Sequence, residues 1–577
     1  MAKIKQMSQN NENIYPVTHE DAVFDNDGVS IGTKIDNIEA DMLDLVDIGE
    51  IENVDGNIID RIRCIEEKIE NLNIINVKDF GAKGDGTTDD TESIQSAIDY
   101  AYANNISKII IPEGEYIISN DTNNRTTSGI LVKSNQEITM TKNTILRYKS
   151  TTSEYYNLFN LNNVVNVKIT GGKLIGDRDA HMSDTGEWGM GIQIHESRNI
   201  IIDNVDICDM WGDCIYIGGN NYSNDPLENG IEPCDITICN CTLNNSRRQG
   251  ISIVYGNEIN IENCDILNIN GTSPEYGIDI ETGNINIPCR NIRVNNCYFE
   301  GSVGGGFVSG SSTENLIVTN SIFNNNNVNL QRLINGEISN NIFNGKGCSI
   351  RNSSDVIIST NNFINSGLNM DHSSGNNEKL SNINIVNNNF NNVDNNEDKK
   401  AITTSGTNTD NSIRYILISN NTFSNFISET IYIYTKVNDL IISNNTINTN
   451  KVARYLLFTS IGCENTQIKN NNILAELSEI AGNTLLMLNS INLVVSDNTF
   501  ITLNNNTDSI MAVMSGDCVM VNNIFKGTVN GRCIKTGTEG PYYILNNFVL
   551  NGATTMGLVR GTYYLKNNIF NNSEFDA

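Results

Sequence analysis

The chain has 577 residues, with 68 Asp and Glu against 38 Lys and Arg and a net charge of −30. That balance argues against nucleic acid or an anionic membrane as the main partner, since both would be repelled. No apolar run approaches bilayer-spanning length and the polar start at residues 1–6 has no signal-peptide core, so synthesis and folding in a cytoplasm are expected.

Residues 1–32 are polar and turn-rich. Two short amphipathic stretches follow over 33–74, first Ile35, Ile38, Met42 and Leu45, then Ile58, Ile62, Ile65, Ile69 and Leu72. Their steps of three and four are heptad-like, and isoleucine at both seam positions favours three strands over two. Asp55-Gly56-Asn57 divides the seam into pieces too short to stand alone as helices.

Residues 75–103 predict a strand, a glycine-rich turn and a helix starting near Thr88 to Asp90, with Ile94, Ala97, Ile98 and Ala101 on the buried face. The glycines lack both Walker and Rossmann spacing, and Asp85, Asp89 and Asp90 would repel an anion. The segment reads as a lid over the open end of a solenoid, where apolar residues and unpaired strand edges would otherwise be exposed.

From about Val164 to Phe570 one plan recurs: a β-branched run, a bend at Asn, then an apolar anchor three residues later. The anchors are Ile207, Leu243, Ile266, Phe299, Phe323, Phe343, Phe363, Phe390, Phe423, Ile447, Ile473, Phe500, Phe525, Val549 and Phe570, a mean step of about 26 residues that signals a solenoid. Asn suits the bend because it tolerates the left-handed conformation and its amide can bond an identical amide one coil away. Thr360 and Asp497 stand where the other repeats have Asn. One coil cannot bury its own apolar face, so coils must stack as parallel strands. The predicted fold is all-β: a right-handed parallel β-helix over 75–577, with an adaptor at 1–32, a helical neck at 33–74 and a capping helix.

Cys241, Cys264 and Cys297 each sit two residues before an anchor, which predicts a stack of thiols. Cys239-Asn240-Cys241 lacks the two-residue gap usual for zinc, so no zinc site is assigned.

The stretch from Val77 to Asp90, VKDFGAKGDGTTDD, followed by Asn-laddered coils, resembles the pectate-lyase-like β-helix superfamily, particularly bacteriophage tailspikes. The start, with Ile14-Tyr15-Pro16-Val17-Thr18-His19, is similar to the adaptors of tail proteins from phages of Gram-positive hosts. The resemblance implies a homotrimer in the virion, attached to tail or baseplate proteins through its N-terminal region. It also implies that the protein binds or cuts polysaccharide at the host cell surface. The Gly-His-Gly and Arg-Ile-Lys motifs of polygalacturonases are missing.

The repeat is most disturbed over residues 176–283. Strand alternation there points isoleucines inward and Gln193, Tyr216, Ser252 and Asp279 outward in one ladder, within coils of about 164–310. Glu281 lies two residues beyond Asp279 on the same face, roughly 6.6 Å along the strand, between the carboxylate separations of retaining and inverting glycosidases. Asp213 begins an adjacent strand. Paired carboxylates suit glycoside cleavage, because one protonates the leaving oxygen while the other attacks or activates water. Arg247, Arg248 and Gln249 enter the next coil, where guanidinium forks would hold a substrate anion or keep Asp213 ionised. Trp188 and Trp211, the only tryptophans, offer plates for sugar rings, Glu187 adds a carboxylate and His181 a proton carrier. An Asp in such a coil commonly caps a turn and an Arg commonly forms a structural ion pair. What distinguishes these residues is their convergence on adjacent coils.

The expectation is a hydrolase, a depolymerase of capsule, exopolysaccharide or teichoic acid, with Asp279, Glu281 and Asp213 catalytic. The alternatives are a uronate lyase, with calcium on the carboxylates, and a spike that binds glycan without cutting it.

Overall fold

A computed structural model describes residues 7–9, 12–14 and 74–575, apart from short internal segments at 120–121, 123, 220–230, 283–285, 373–378, 395–398, 407–412, 428, 453–454, 461, 478–482, 503–506, 515–516, 528–531, 538–539, 551–554, 559–561 and 571–572. The chain divides into two units, residues 1–72 and 73–577. In the first, Met7–Gln9 pairs antiparallel with Glu12–Ile14. The heptad-like seam at 33–72 and the rest of the expected adaptor lie outside the described residues.

The second unit is a right-handed parallel β-helix, as the repeat predicts. Each coil contributes one strand to each of three parallel sheets. A representative turn runs through Trp188–His195, Arg198–Asp203 and Asp206–Cys208, then re-enters the first sheet at Asp213–Gly218. The first is called the site sheet below. All fifteen anchors, from Ile207 to Phe570, pair coil to coil in one unbroken register column of the third sheet. Within it Phe299, Phe323, Phe343, Phe363, Phe390 and Phe423 stack face to face, with centroids 4.4 to 5.2 Å apart.

The residue three before each anchor adopts φ between 53° and 59°, Thr360 and Asp497 included. The bend therefore belongs to the coil geometry, and Asn is the residue that adopts it most cheaply. The buried amide ladder lies one residue further on. Side chains from Asn341 through Asn361, Asn388, Asn421, Asn445, Asn471, Asn498, Asn523 and Asn547 to Asn568 bond amide to amide, each step 3.0 to 3.1 Å. Cys241, Cys264 and Cys297 occupy the equivalent position in earlier coils, buried and as free thiols. The Cys297 backbone N–H donates to Ser321 Oγ at 3.1 Å and the Ser321 N–H to Asn341 Oδ1 at 2.9 Å, which joins the thiol stack to the amide ladder.

At the N-terminal end of this unit one helix, Thr91–Ala103, buries Ile94, Ala97, Ile98 and Ala101. It begins later than the sequence suggests, because the acidic residues have other work. Asp90 makes no capping bond, and its carboxylate accepts the Lys83 and Gly84 backbone N–H groups at 2.6 and 2.9 Å. Asp89 Oδ1 caps the helix instead, accepting the Thr91 N–H at 3.1 Å.

Candidate active site

The site grows from one column of the site sheet. Gln193, Tyr216, Ser252 and Asp279 pair in successive coils, with isoleucines on either side of each along its strand. Those isoleucines fill the interior, so the polar column faces outward. Its members are nevertheless covered: Gln193 is 1% exposed, Tyr216 4%, Ser252 0% and Asp279 4%. Two arginines account for much of that cover. Arg125, from a segment far earlier in the chain, lies over the Tyr216 ring, 4.7 Å from its centroid, and donates to the Tyr216 hydroxyl at 3.0 Å. Its carbonyl accepts the Gln193 side-chain amide at 2.8 Å, which pins the segment to the sheet.

Arg248 covers the other end of the column and gathers three carboxylates. Its Nε donates to Glu187 Oε2 at 3.1 Å, Nη1 to Asp213 Oδ2 at 3.3 Å and Nη2 to Glu281 Oε1 at 2.8 Å. Desolvation works to lower the Arg248 pKa, but the charges of Asp213 and Glu281 outweigh it and raise it, so the guanidinium stays charged. Asp213 is fully buried, and its Oδ2 also accepts the Ser252 hydroxyl at 2.7 Å. Burial pushes its carboxyl up to about 6, with Arg248 and Ser252 pulling the other way, so it is ionised at neutral pH. The expectation that Asp213 meets substrate directly is corrected here. It sits beneath Arg248 and serves as that residue's counter-charge.

Asp279 has a different environment. Burial and then the neighbouring Glu281 charge push it up to about 7. Gln249 fixes its orientation: Oε1 accepts the Tyr276 backbone N–H at 3.1 Å, so Nε2 turns to Asp279 Oδ2 at 2.6 Å and leaves Oδ1 for the proton. Glu281 is more open, its side chain 35% exposed. One carboxyl that holds its proton beside a solvent-facing carboxylate can divide acid and base work between them.

The rim is aromatic. Trp188 stacks on Tyr155 at 4.5 Å, and both remain half-buried. Trp211 was expected as a second open plate, but its ring is 8% exposed, with His181 stacked at 4.0 Å and the Arg247 guanidinium 3.8 Å from its centroid. Arg247 also donates to the Gly186 carbonyl at 2.9 Å. His181 is a buried partner of Asp177, Nδ1 to Oδ2 at 2.8 Å, and Asp177 in turn accepts the Tyr156 hydroxyl at 2.8 Å. Trp211 and His181 are thus covered packing partners of each other. The reason is adjacency: the loop before Trp188 folds down onto the strand entrance at 211–213.

Residues 74–301, which contain all of these groups, match the family model described as rhamnogalacturonase A/epimerase, pectate lyase-like. Over that stretch the chain is similar to the pectate-lyase-like family. Protein YclG of Bacillus subtilis is 34% identical over 249 residues, 40% of this chain and 42% of that one. The SPbeta prophage-derived protein YorA of the same bacterium is 32% identical over 205 residues, 33% of this chain and 35% of that one. The preneck appendage protein of Bacillus phage PZA is 24% identical over 264 residues, 42% of this chain and 29% of that one. The chain matches well under half the length of each of these relatives.

Sequence reasoning missed Arg125 and Tyr155. Arg125 reaches Tyr216 across 91 residues, and no local pattern announces it. Tyr155 could have been found by register, since it pairs directly with Trp188.

Proposed function

We propose that this protein is a phage-borne enzyme that cleaves a cell-surface polysaccharide by glycoside hydrolysis at the Asp279–Glu281 pair. The observation that carries this reading is the unequal treatment of two neighbouring carboxyls on one face: Asp279 raised to about 7 and held by Gln249, Glu281 open and paired to Arg248. Asp279 donates its proton to the glycosidic oxygen as that bond breaks. Glu281 either takes the proton of a water whose oxygen bonds the anomeric carbon, or bonds that carbon itself before water releases it. Arg248 and Asp213 hold Glu281 in place, and the Trp188–Tyr155 stack receives a sugar face. The phage preneck relative supports placement in a virion, where a homotrimer would present the groove to the host surface.

The test is to incubate the full chain with surface polysaccharide isolated from Bacillus subtilis and follow polymer length and end groups. New reducing ends without unsaturated sugars support the proposal. Unsaturated ends would make the protein a lyase, and binding without any shortening would make it a receptor-recognition spike.

A further inference from the structure

The column that carries Tyr216, Ser252 and Asp279 does not end at the acid cluster. Its register continues through Val308, Asn329, Ser349, Asn369 and Thr403. Over these coils an open trough of about 370 Å³ runs along the outer face of the site sheet, walled by Asn327, Asn329, Ser349, Asn369, Thr403 and Lys400. Gly347 and Gly367 also line it. A Cβ on Gly347 would sit 1.8 Å from the Gly367 carbonyl oxygen, and one on Gly367 would sit 2.1 Å from that of Lys400, so the close stacking of these coils requires glycine at both positions and leaves bare backbone in the lining.

The trough starts at the active strand: Asn329 Nδ2 donates to the hydroxyl of Tyr276 at 2.8 Å, and Tyr276 opens the strand Tyr276–Ile280 that carries Asp279. At its far end Lys400 Nζ lies 4.5 Å from the Tyr432 ring centroid. Asn369 is held on both sides, its Oδ1 accepting the Thr403 hydroxyl at 2.8 Å and its Nδ2 donating to Ser405 Oγ at 3.1 Å. Among the described residues, the side chains of Asn327 and Ser349 have no hydrogen-bond partner, which leaves their donors and acceptors for a ligand.

We propose that the trough is a second glycan subsite, which binds a neutral, hydroxyl-rich stretch of the same polysaccharide that is cut at Asp279 and Glu281. The proposal rests on the hydrolase reading above and adds the direction of the chain, along the helix axis. The chemistry fits sugar. Amides and hydroxyls that donate and accept side by side match neighbouring sugar hydroxyls, the glycine backbone offers CH surface to a ring face, and among the described residues no carboxylate lines the trough. Ser349 is three coils beyond Asp279, roughly 14 Å at about 4.8 Å per coil, so only a fragment of several sugars reaches both places.

The experiment measures, by calorimetry, the affinity of the full chain in an Asp279→Asn background for size-fractionated fragments of the Bacillus subtilis surface polysaccharide. Affinity rises with fragment length in that parent. Ser349→Trp, which fills the trough, abolishes the rise and weakens the longest fragments at least tenfold. Asn369→Ala, which adds no bulk, weakens them in the same direction should the tryptophan disturb folding. Unchanged length dependence in both variants overturns the trough while leaving the cleavage assay to stand. No binding by the parent at any length overturns both readings.

Discussion

Asp279 and Arg248 mark the two ways this site handles buried charge, and each has a consequence that can be measured. The folded pKa of Asp279, about 7, lies above the ordinary 3.8. Between those values the folded chain binds more protons than the unfolded one, so this residue's contribution to stability declines as pH rises through the window. Asp279→Asn removes that decline. The variant is expected to melt higher than the parent at about pH 8 and to converge with it near pH 4, in thermal unfolding followed by circular dichroism. In the same variant cleavage falls by at least about a hundredfold, because general acid catalysis is commonly worth that much, while binding of long fragments persists. Arg248→Ala removes the counter-charge of a fully buried Asp213. Stranding a buried carboxylate costs about 3–5 kcal/mol, so denaturant unfolding should show a loss of that order. Were Arg248→Ala as stable as the parent, the ion cluster would be ornamental.

At the scale of a coil, the bend and the amide ladder separate two properties that the sequence presents together. The bend residues were legible because left-handed backbone is costly for most side chains and Asn is the common solution. Thr360 is the test of that cost, a β-branched residue at φ 56° where most repeats have Asn. Thr360→Asn is expected to stabilise the chain by about 1 kcal/mol, read as a shift in the unfolding midpoint. The bend amides do bond coil to coil, Asn296 to Asn263 and Asn567 to Asn546 among them; the second, buried ladder one residue further on was not legible, because adjacent Asn residues look alike until burial distinguishes them. The Asn421 side chain carries four bonds in that ladder, two accepted from Asn388 and one donated each to the Ile385 carbonyl and Asn445. Asn421→Ala should cost more than a surface Asn change, about 1–3 kcal/mol for each buried donor left unmade. The active column was legible for the same reason as the coils, since a period of two puts Tyr216, Ser252 and Asp279 on one face. Its covering was not. Whether an outward residue meets solvent depends on side chains such as Arg125 and Arg248 that fold across it from other coils, and alternation carries no information about them. Trp211 was misjudged on that account.

For the helix as a whole, stability is set by contacts between neighbouring coils, because no coil touches one far along the axis. The phenylalanine stack makes this concrete: Phe363 meets only Phe343 and Phe390 within it, at 4.7 and 4.4 Å. Phe363→Ala opens a cavity in the middle of the column, at about 3–5 kcal/mol. In a globular core that cost would be felt everywhere at once. Here it falls on the interfaces on either side of one coil, so opening becomes easier there first. Hydrogen exchange on the variant should show protection lost in the strands around residues 333–391. Lys108–Ile111, beneath the capping helix, and the strand carrying Asp279 should keep theirs. Cleavage should then survive at temperatures where the middle of the helix already exchanges. Binding of long fragments should weaken earlier, since the trough lies within the affected coils. A uniform loss of protection along the chain would mean that the coils unfold as a single unit and that nearest-neighbour stacking does not describe this molecule.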